Sequence, residues 1–318
     1  MSTLRRFASE HQWLLIASQL VVLAIFFGSV GWAMRGSFHA AGDDLRSANP
    51  LLFTLACVVL AAYYLVFVFG WIRILSDWHI HISYPAALRA EMVSMLAKYV
   101  PGGIWTPAAR VVAARRAGVT DAALVTVSIL VEAGISAVAG VIVFVVSLAW
   151  VKGVNAPIAP LVAFAVVVAG LLHPRIFCPV ASLILRKLGH RGLPPLRVST
   201  MAFLLLFYCG TWVIGGGALW LLLRSVGARP GAPSIVFLGG VAAVGAIVAV
   251  LAVFAPSGLG PREASMYALM LAITSEGAAL GATVLNRVAI TLVEVLLLLV
   301  GGIVLRRADD REPEPAEA

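Results

Sequence analysis

Charged residues are scarce in this sequence. Asp, Glu, Lys and Arg together make up 12% of its 318 residues, whereas 61% are hydrophobic, and the mean hydropathy is +1.00. A soluble domain of this size needs a far more polar surface, so the composition excludes one. Several apolar runs reach the length of about 20 residues that crosses a bilayer. We therefore predict an all-α polytopic membrane protein, because helices satisfy their own backbone hydrogen bonds in lipid.

Cysteine is also scarce, and familiar catalytic motifs are missing. Cys57, Cys178 and Cys209 lie in apolar surroundings without metal-type spacing, so we expect structural thiols, no disulfide framework and no metal. The sequence contains no P-loop, no G-x-S-x-G motif and no H-E-x-x-H motif. We therefore expect no cofactor and no nucleotide as an energy source.

The apolar runs predict six full spans within one transmembrane domain, residues 1–307. The spans lie at about residues 13–34, 51–72, 122–150, 157–172, 198–223 and 279–305. We expect loops at 35–50, 73–98 and 173–197. The Pro- and Glu-rich residues 308–318 are predicted to form a disordered cytoplasmic tail.

Lys and Arg are distributed unevenly between the predicted loops. The net charge of +8 raises the alternative of nucleic-acid binding, but the basic residues cluster between apolar runs. Sixteen of the 23 lie in the N-terminus, residues 73–116, residues 174–197 and the C-terminal residues 306–318, whereas five lie in the opposite loops. Because basic loops stay in the cytoplasm, this split predicts cytoplasmic N- and C-termini, a plasma or inner membrane location and no nucleic-acid partner.

Two segments rich in proline and glycine break the apolar pattern. The break residues are Pro101, Gly102 and Gly103 in the first segment, and Pro256, Gly258 and Gly260 in the second. Proline and glycine end helices, and a broken helix is tolerated in hydrocarbon only where it is buried in protein or lines a cavity. Two breaks in corresponding positions of two halves indicate a transport site.

Equal spacing after the breaks supports a repeat. Pro101 lies 31 residues before Glu132, and Pro256 lies 31 residues before Arg287. We predict an inverted repeat with halves at about 51–172 and 198–305, in which the two breaks form broken or re-entrant hairpins. An eight-span description, in which 234–276 crosses twice, is equivalent at this point. The alternative is two ordinary interface loops with coincidental spacing.

Charges inside the apolar runs are the first candidates for a site. Glu132 and Arg287 each follow a break, and Glu294 lies two helical turns beyond Arg287 on the same face. A charge at bilayer depth costs about 2.5–3.5 kcal/mol, so such a residue is normally paired or functional. One interpretation is a Glu132–Arg287 salt bridge between the halves; the other is the wall of a cavity for a charged headgroup. Glu132 and Glu294 are also candidate proton carriers, because a buried carboxyl group can take up a proton.

Arginines at two predicted helix starts favour an anion site. Arg262 and Glu263 follow Pro261, which suits the first turn of a helix, and Arg110 follows Pro107 in the first half. Helix N-termini attract anions, and arginine binds phosphate through two parallel hydrogen bonds. We predict that Arg262, Arg287, Arg110 and Glu263 contact a phosphate headgroup. The alternative for Arg110 is that it extends to the cytoplasmic interface.

These segments resemble the lysylphosphatidylglycerol synthase transmembrane-domain family, also called the flippase-like family. The matching pieces are Lys98-Tyr-Val-Pro-Gly-Gly-Ile-Trp105 with Arg110, and Pro256-Ser-Gly-Leu-Gly-Pro-Arg-Glu-Ala264 with Asn286-Arg287, over about residues 10–305. The resemblance implies a domain that moves lipid between leaflets, with the break residues, the arginines and Glu263 as its functional residues. In multidomain relatives a separate soluble domain makes the lipid, and we expect no such domain here.

We therefore expect a lipid flippase or scramblase, not an enzyme. Its substrate would be an anionic-headgroup lipid, either a phospholipid or an isoprenoid-phosphate-linked sugar, that passes through a midplane cavity. A polytopic isoprenoid-phosphate-dependent glycosyltransferase that uses Asp43 and Asp44, a secondary transporter of a small anion, and a structural partner protein are the alternatives. A lipid-modifying enzyme is a candidate partner, and the sequence does not predict the oligomeric state.

Overall fold

Ten helices make up the part of the chain that the structure describes. This computed structural model describes residues 48–97, 105–154, 158–187, 192–252, 255 and 258–309. The helices are α1 (Pro50–Asp77), α2 (Tyr84–Ala97), α3 (Trp105–Arg116), α4 (Ala122–Ser147), α5 (Ile158–Leu172), α6 (Pro174–Lys187), α7 (Val198–Ser225), α8 (Ser234–Leu251), α9 (Pro261–Met270) and α10 (Glu276–Asp309). These residues contain no strand, so the all-α prediction is confirmed.

Five of the described helices are long and apolar enough to cross a membrane. They are α1, α4, α7, α8 and residues Glu276–Leu299 of α10. Helices α5 and α6, which meet at a bend of 64°, add a sixth crossing if the pair is one broken span. A multi-pass membrane protein is therefore confirmed. The predicted span at 13–34 lies outside the described residues.

Capping side chains set the start of two of these spans. The Asn49 side chain accepts hydrogen bonds from the backbone N–H groups of Leu51 and Leu52 before α1. Asp121 does the same for Ala123 and Leu124 before α4. Because the first N–H groups of a helix have no partner within it, these caps fix where each span begins.

Helices α2 and α6 correct the predictions of loops at 73–98 and 173–197. The clearer case is α6. Ile176, Val180 and Leu183 are spaced by four and three residues, so they form one exposed apolar stripe along the helix. Arg186 and Lys187 occupy the last turn, where they complement the helix dipole. The prediction weighed the basic residues of this segment and missed its helical period.

Helices α1 and α7 run antiparallel along each other. At one end, the backbone N–H of Asn49 donates to the carbonyl of Ser225 (2.8 Å). At the other, the Asp77 carboxylate accepts hydrogen bonds from the Arg197 backbone N–H and the Thr200 hydroxyl, both at 2.9 Å. The loops after α1 and before α7 thus lie at the same end of the bundle.

The helices around this central pair follow the order of an inverted repeat. Each half has a long helix, a broken hairpin and a second long helix: α1, α2–α3 and α4, then α7, α8–α9 and α10. The contacts are exchanged between halves, since α2 packs on α10 while α8 packs on α4.

With 10 residues, α9 rises only about 15 Å, too short to cross the hydrocarbon. The α8–α9 segment is therefore a hairpin with unequal arms and does not cross twice.

Glycines bring α8 close to both neighbouring long helices. A Cβ added at Gly216 of α7 would overlap the backbone of Ile235 and Gly239, and one at Gly240 of α8 would overlap Phe144 of α4. Such small residues let membrane helices approach closely, and the longer arm of the second hairpin is held between the two halves as a result.

Candidate functional site

A buried arginine lies between two buried carboxylates in the first half. Arg110 of α3 approaches Glu132 of α4 (Nη1 to Oε2, 2.5 Å) and forms a second ion pair with Glu91 of α2. The three residues are 4%, 2% and 8% exposed, respectively. The Arg110 guanidinium also lies 4.2 Å from the ring centroid of Trp71. This cluster connects both arms of the first hairpin to α1 and α4.

Helix α7 completes the first cluster from the other half of the molecule. The Tyr208 hydroxyl donates to Glu132 Oε1 (3.0 Å), so each oxygen of that carboxylate has its own donor. Gly70 of α1 makes room for this contact, because a Cβ there would overlap the Tyr208 hydroxyl. The contact therefore requires α1, α4 and α7 to meet at one point.

The second cluster lies at the start of α9. The Gly260 backbone N–H donates to Glu263 Oε2 (2.7 Å), and Arg287 of α10 approaches Glu263 Oε1 with Nη1 at 3.4 Å. Gly260 has φ +92°, a conformation that side chains disfavour. This turn directs the first residues of α9 toward α10.

Arg262 differs from the other arginines of the two clusters. Its side chain is half-buried, and no carboxylate of the described residues lies within ion-pair distance of it. The hydroxyl groups of Tyr63 and Tyr64 lie within its electrostatic range. The guanidinium is thus available to a ligand beside two phenol groups.

Two tyrosine–glutamate hydrogen bonds join the halves in a mirrored way. Tyr64 of α1 donates to Glu294 of α10 (2.7 Å), and Tyr208 of α7 donates to Glu132 of α4. In both cases the first long helix of one half contacts the last long helix of the other. Both carboxylates are buried, at 2% exposure.

Aromatic rings connect the two clusters at the middle of the bundle. Tyr63 and Tyr64 lie near the middle of the 28-residue helix α1. The Tyr63 ring lies 5.6 Å from Phe67 and 6.4 Å from Trp212, and Phe67 lies 5.1 Å from Tyr208. Tyr63 is within electrostatic range of both Glu132 and Arg262. Tyr63 is thus the aromatic residue with a charged neighbour from each half.

The family comparison extends over the helices that carry both clusters. A model of the lysylphosphatidylglycerol synthase TM region matches residues 15–300. The chain belongs to this family. A comparison with curated proteins gives no match. The predicted resemblance is thus confirmed over almost the whole chain.

The geometry of the two clusters corrects two interpretations. Glu132 forms its ion pair with Arg110, so the interpretation as a Glu132–Arg287 salt bridge is wrong; each charge pairs within its own half. Arg110 is buried and does not extend to the interface. Both misassignments have one cause, because spacing along the chain does not show which helix face meets which neighbour.

The remaining predicted residues have mixed outcomes. Arg262 and Glu263 lie in the first turn of α9, and Arg287 of α10 contacts Glu263 there. Gly258 and Gly260 both have positive φ, consistent with a break. Pro101, Gly102, Gly103 and Pro256 lie outside the described residues, as do Asp43 and Asp44.

Sequence reasoning missed four residues of the site: Glu91, Tyr63, Tyr64 and Tyr208. Glu91 was assigned to a basic loop, although an acidic residue between apolar neighbours was a usable signal. The adjacent tyrosines in the middle of an apolar span were a second signal, because a buried phenol hydroxyl needs a partner. Tyr208 offered nothing beyond its place in a span.

No resident metal site is evident in the described part of the chain. Among these residues no group of three or more His, Cys, Asp or Glu is arranged to hold a metal ion. The chemistry available at the two clusters is therefore that of guanidinium, carboxylate and phenol groups: binding of anions and exchange of protons.

Proposed function

We propose that this chain is a flippase or scramblase that moves an anionic-headgroup lipid between leaflets. The substrate is a phospholipid or an isoprenoid-phosphate-linked sugar, and the chain transports it without transforming it. Arg262 binds the phosphate, and Arg287, held by Glu263, supplies further positive charge. The membrane is the plasma or inner membrane, with both termini in the cytoplasm.

The observation that carries this proposal is Arg262 itself. Charged residues at bilayer depth normally have a partner of opposite charge, because the lipid cannot solvate them. Arg262 has no ion-pair partner among the described residues, although it is within electrostatic range of Tyr63 and Tyr64, which lie at the middle of a span. A guanidinium in that position is suited to a transient anionic ligand, and its planar donors match a phosphate.

The surroundings of Arg262 favour a lipid over a soluble anion. The spans present wide apolar surfaces, and only 22–50% of their most hydrophobic windows is buried within the protein. An acyl or isoprenoid chain can remain against such surfaces while its headgroup crosses along the arginines. The family name, that of a phospholipid synthase's membrane region, agrees with a lipid substrate.

The test is lipid transfer in liposomes reconstituted with the purified protein. Fluorescent phosphatidylglycerol, a fluorescent isoprenoid-phosphate sugar and fluorescent phosphatidylcholine are compared by quenching of the outer leaflet. We expect transfer of an anionic lipid, reduced about tenfold or more in Arg262→Ala, since a charge-assisted hydrogen bond contributes about 1.5–3 kcal/mol. Arg262→Lys is expected to retain part of the lipid transfer. Arg116→Ala, at an exposed arginine, serves as the matched control.

Three results would contradict the proposal. Transfer that is unchanged in Arg262→Ala would remove Arg262 from the site. Uptake of soluble glycerol phosphate without lipid transfer would indicate a solute transporter. A chemically altered lipid, detected by mass spectrometry after incubation, would indicate an enzyme.

A further inference from the structure

Among the described residues, the first charge cluster contains one more carboxylate than it has cations. Glu91 and Glu132 share the single guanidinium of Arg110, and all three side chains are buried. With both carboxylates ionised, the cluster has a net charge of −1 at a depth where lipid cannot solvate it. Addition of one proton from water to a carboxylate oxygen forms a neutral carboxylic acid and brings the cluster to zero charge.

The contacts distinguish the two carboxylates. Glu132 accepts hydrogen bonds from Arg110 on one oxygen and from Tyr208 on the other, so two donors lie against its carboxylate. In the described part of the chain, the Glu91 side chain contacts Arg110 alone. Glu91 thus has less to stabilise its negative charge, and it is the better site for the proton.

The other charged groups on α2 and on the helices around it either lie away from Glu91 or contact a different residue. Arg89 lies two residues from Glu91, about 200° around the helix. On α1, Arg73 and Asp77 contact Thr200 of α7. On α10, Glu276 lies in the first turn, Arg287 pairs with Glu263, and Glu294 accepts from Tyr64. Arg110 on α3 is therefore the charged group that lies against Glu91, with Glu132 of α4 beyond it.

We infer that Glu91 binds and releases one proton in each transport cycle, so that a proton and an anionic lipid cross together. This inference rests on the proposed function, since it names the energy source of the same transport. It replaces Glu132 and Glu294, the residues expected from sequence, because each of those accepts a hydrogen bond from a tyrosine.

The coupling has a physical route between the clusters. A lipid phosphate at Arg262 adds negative charge near Tyr63, which lies in the electrostatic range of Glu132. Protonation of Glu91 removes one negative charge from that region, so lipid and proton each favour binding of the other. Protonation also frees Arg110 from Glu91, which loosens the contact between α2 and α3 while the Arg110–Glu132 pair remains.

A direction of transport follows. If the proton and the lipid cross together, protons that move toward the alkaline side carry lipid with them. With one proton per lipid, a gradient of about one pH unit supports a lipid asymmetry of up to about tenfold. The lipid accumulates in the leaflet that faces the alkaline solution.

The experiment uses the full chain in liposomes, with fluorescent phosphatidylglycerol and a membrane potential clamped at zero. The distribution of the lipid between the leaflets is measured with the pH of the lumen below, above or equal to the pH outside. A pH dye trapped in the lumen reports proton movement. Wild type is expected to accumulate lipid on the alkaline side. Glu91→Gln is expected to transfer lipid until both leaflets hold equal amounts, whatever the pH gradient. The reason is that Arg110 and Glu132 then form a pair with zero net charge. Glu276→Gln, at an exposed carboxylate, is the matched control.

A second readout does not depend on lipid transfer. In detergent, the infrared C=O band of a protonated carboxyl group is titrated in wild type and in Glu91→Gln. A titrating band that disappears in the variant supports Glu91 as the proton site, and no difference between the two proteins overturns it.

The two proposals fail in different ways. Lipid transfer that is the same in all gradients, with no response of the pH dye, overturns the coupling and leaves the lipid function standing. No lipid transfer in any gradient overturns the lipid function and with it the coupling. The infrared titration then still decides whether Glu91 exchanges a proton.

Discussion

Arg110 illustrates how burial determines what a single arginine can do. An exposed arginine near a membrane extends its head to the interface, whereas this one is enclosed by Glu91, Glu132 and Trp71. Its charge is needed where it lies, because two buried carboxylates would otherwise have no cation. We therefore assign Arg110 to the support of the first hairpin and leave the headgroup to Arg262 and Arg287.

Arg110→Met is expected to destabilise the protein strongly. Removal of one partner from a buried ion pair costs about 3–5 kcal/mol, because the other charge stays uncompensated. Adding Glu91→Gln and Glu132→Gln to Arg110→Met is expected to restore most of the loss. The measurement is unfolding of the solubilised protein by an anionic detergent, with the exposed Arg115→Met as a neutral control. A triple variant less stable than the single one would contradict this charge-balance argument.

At the scale of elements, the start of α9 organises the second cluster. Pro261 occupies the first helical position, Glu263 closes a capping box on Gly260, and the same carboxylate faces Arg287. Arg262 projects from this fixed turn. A ten-residue helix gains little stability from its own length, so the cap and the contact with α10 hold it.

Gly260→Ala tests how much the site depends on that turn. A residue with a Cβ at φ +92° is strained by about 1–3 kcal/mol, and relief of that strain moves the first turn of α9. We expect lipid transfer to fall as it does in Arg262→Ala, while the protein still folds. Gly170→Ala is the control, because a Cβ there meets open space. Wild-type transfer by Gly260→Ala would show that this turn does not position the site.

The whole molecule is arranged around the antiparallel pair α1 and α7. Because one half is inverted relative to the other, α2–α3 and α8–α9 approach the centre from opposite ends. Their charged residues meet the aromatic rings of α1 and α7 there, and the Tyr64–Glu294 and Tyr208–Glu132 hydrogen bonds join the halves. Such an arrangement suits alternating exposure of a central site to the two membrane faces.

Opposite labelling of two loops would test the inverted arrangement. Thr120, between α3 and α4, and Ser275, between α9 and α10, are both exposed. Each is replaced by cysteine in a chain whose Cys57, Cys178 and Cys209 are serine. We expect an impermeant maleimide to reach Thr120→Cys only from the cytoplasmic side and Ser275→Cys only from the opposite side. Reaction of both from one side would exclude the inverted arrangement.

Apolar run length and Pro/Gly content predicted the spans of α1, α4, α7 and α10, and the second hairpin. These properties act locally, because about 20 apolar residues in lipid have no alternative to a helix. The same reasoning overlooked α6, where an amphipathic period was hidden by basic residues. It also grouped Arg262, Glu263 and Arg287, because all three come after the second break in the sequence.

By itself, the sequence determined the membrane class, the family, most of the spans and the helix break before α9, because hydropathy and helix breaking depend on neighbours along the chain. Only the tertiary structure decided that Glu132 pairs with Arg110, that Glu91 competes for the same guanidinium, and that Tyr64 and Tyr208 join the halves. Those contacts link residues 19 to 230 positions apart, as from Glu91 to Arg110 and from Tyr64 to Glu294. They depend on which face of each helix meets which neighbour, and packing alone sets that choice.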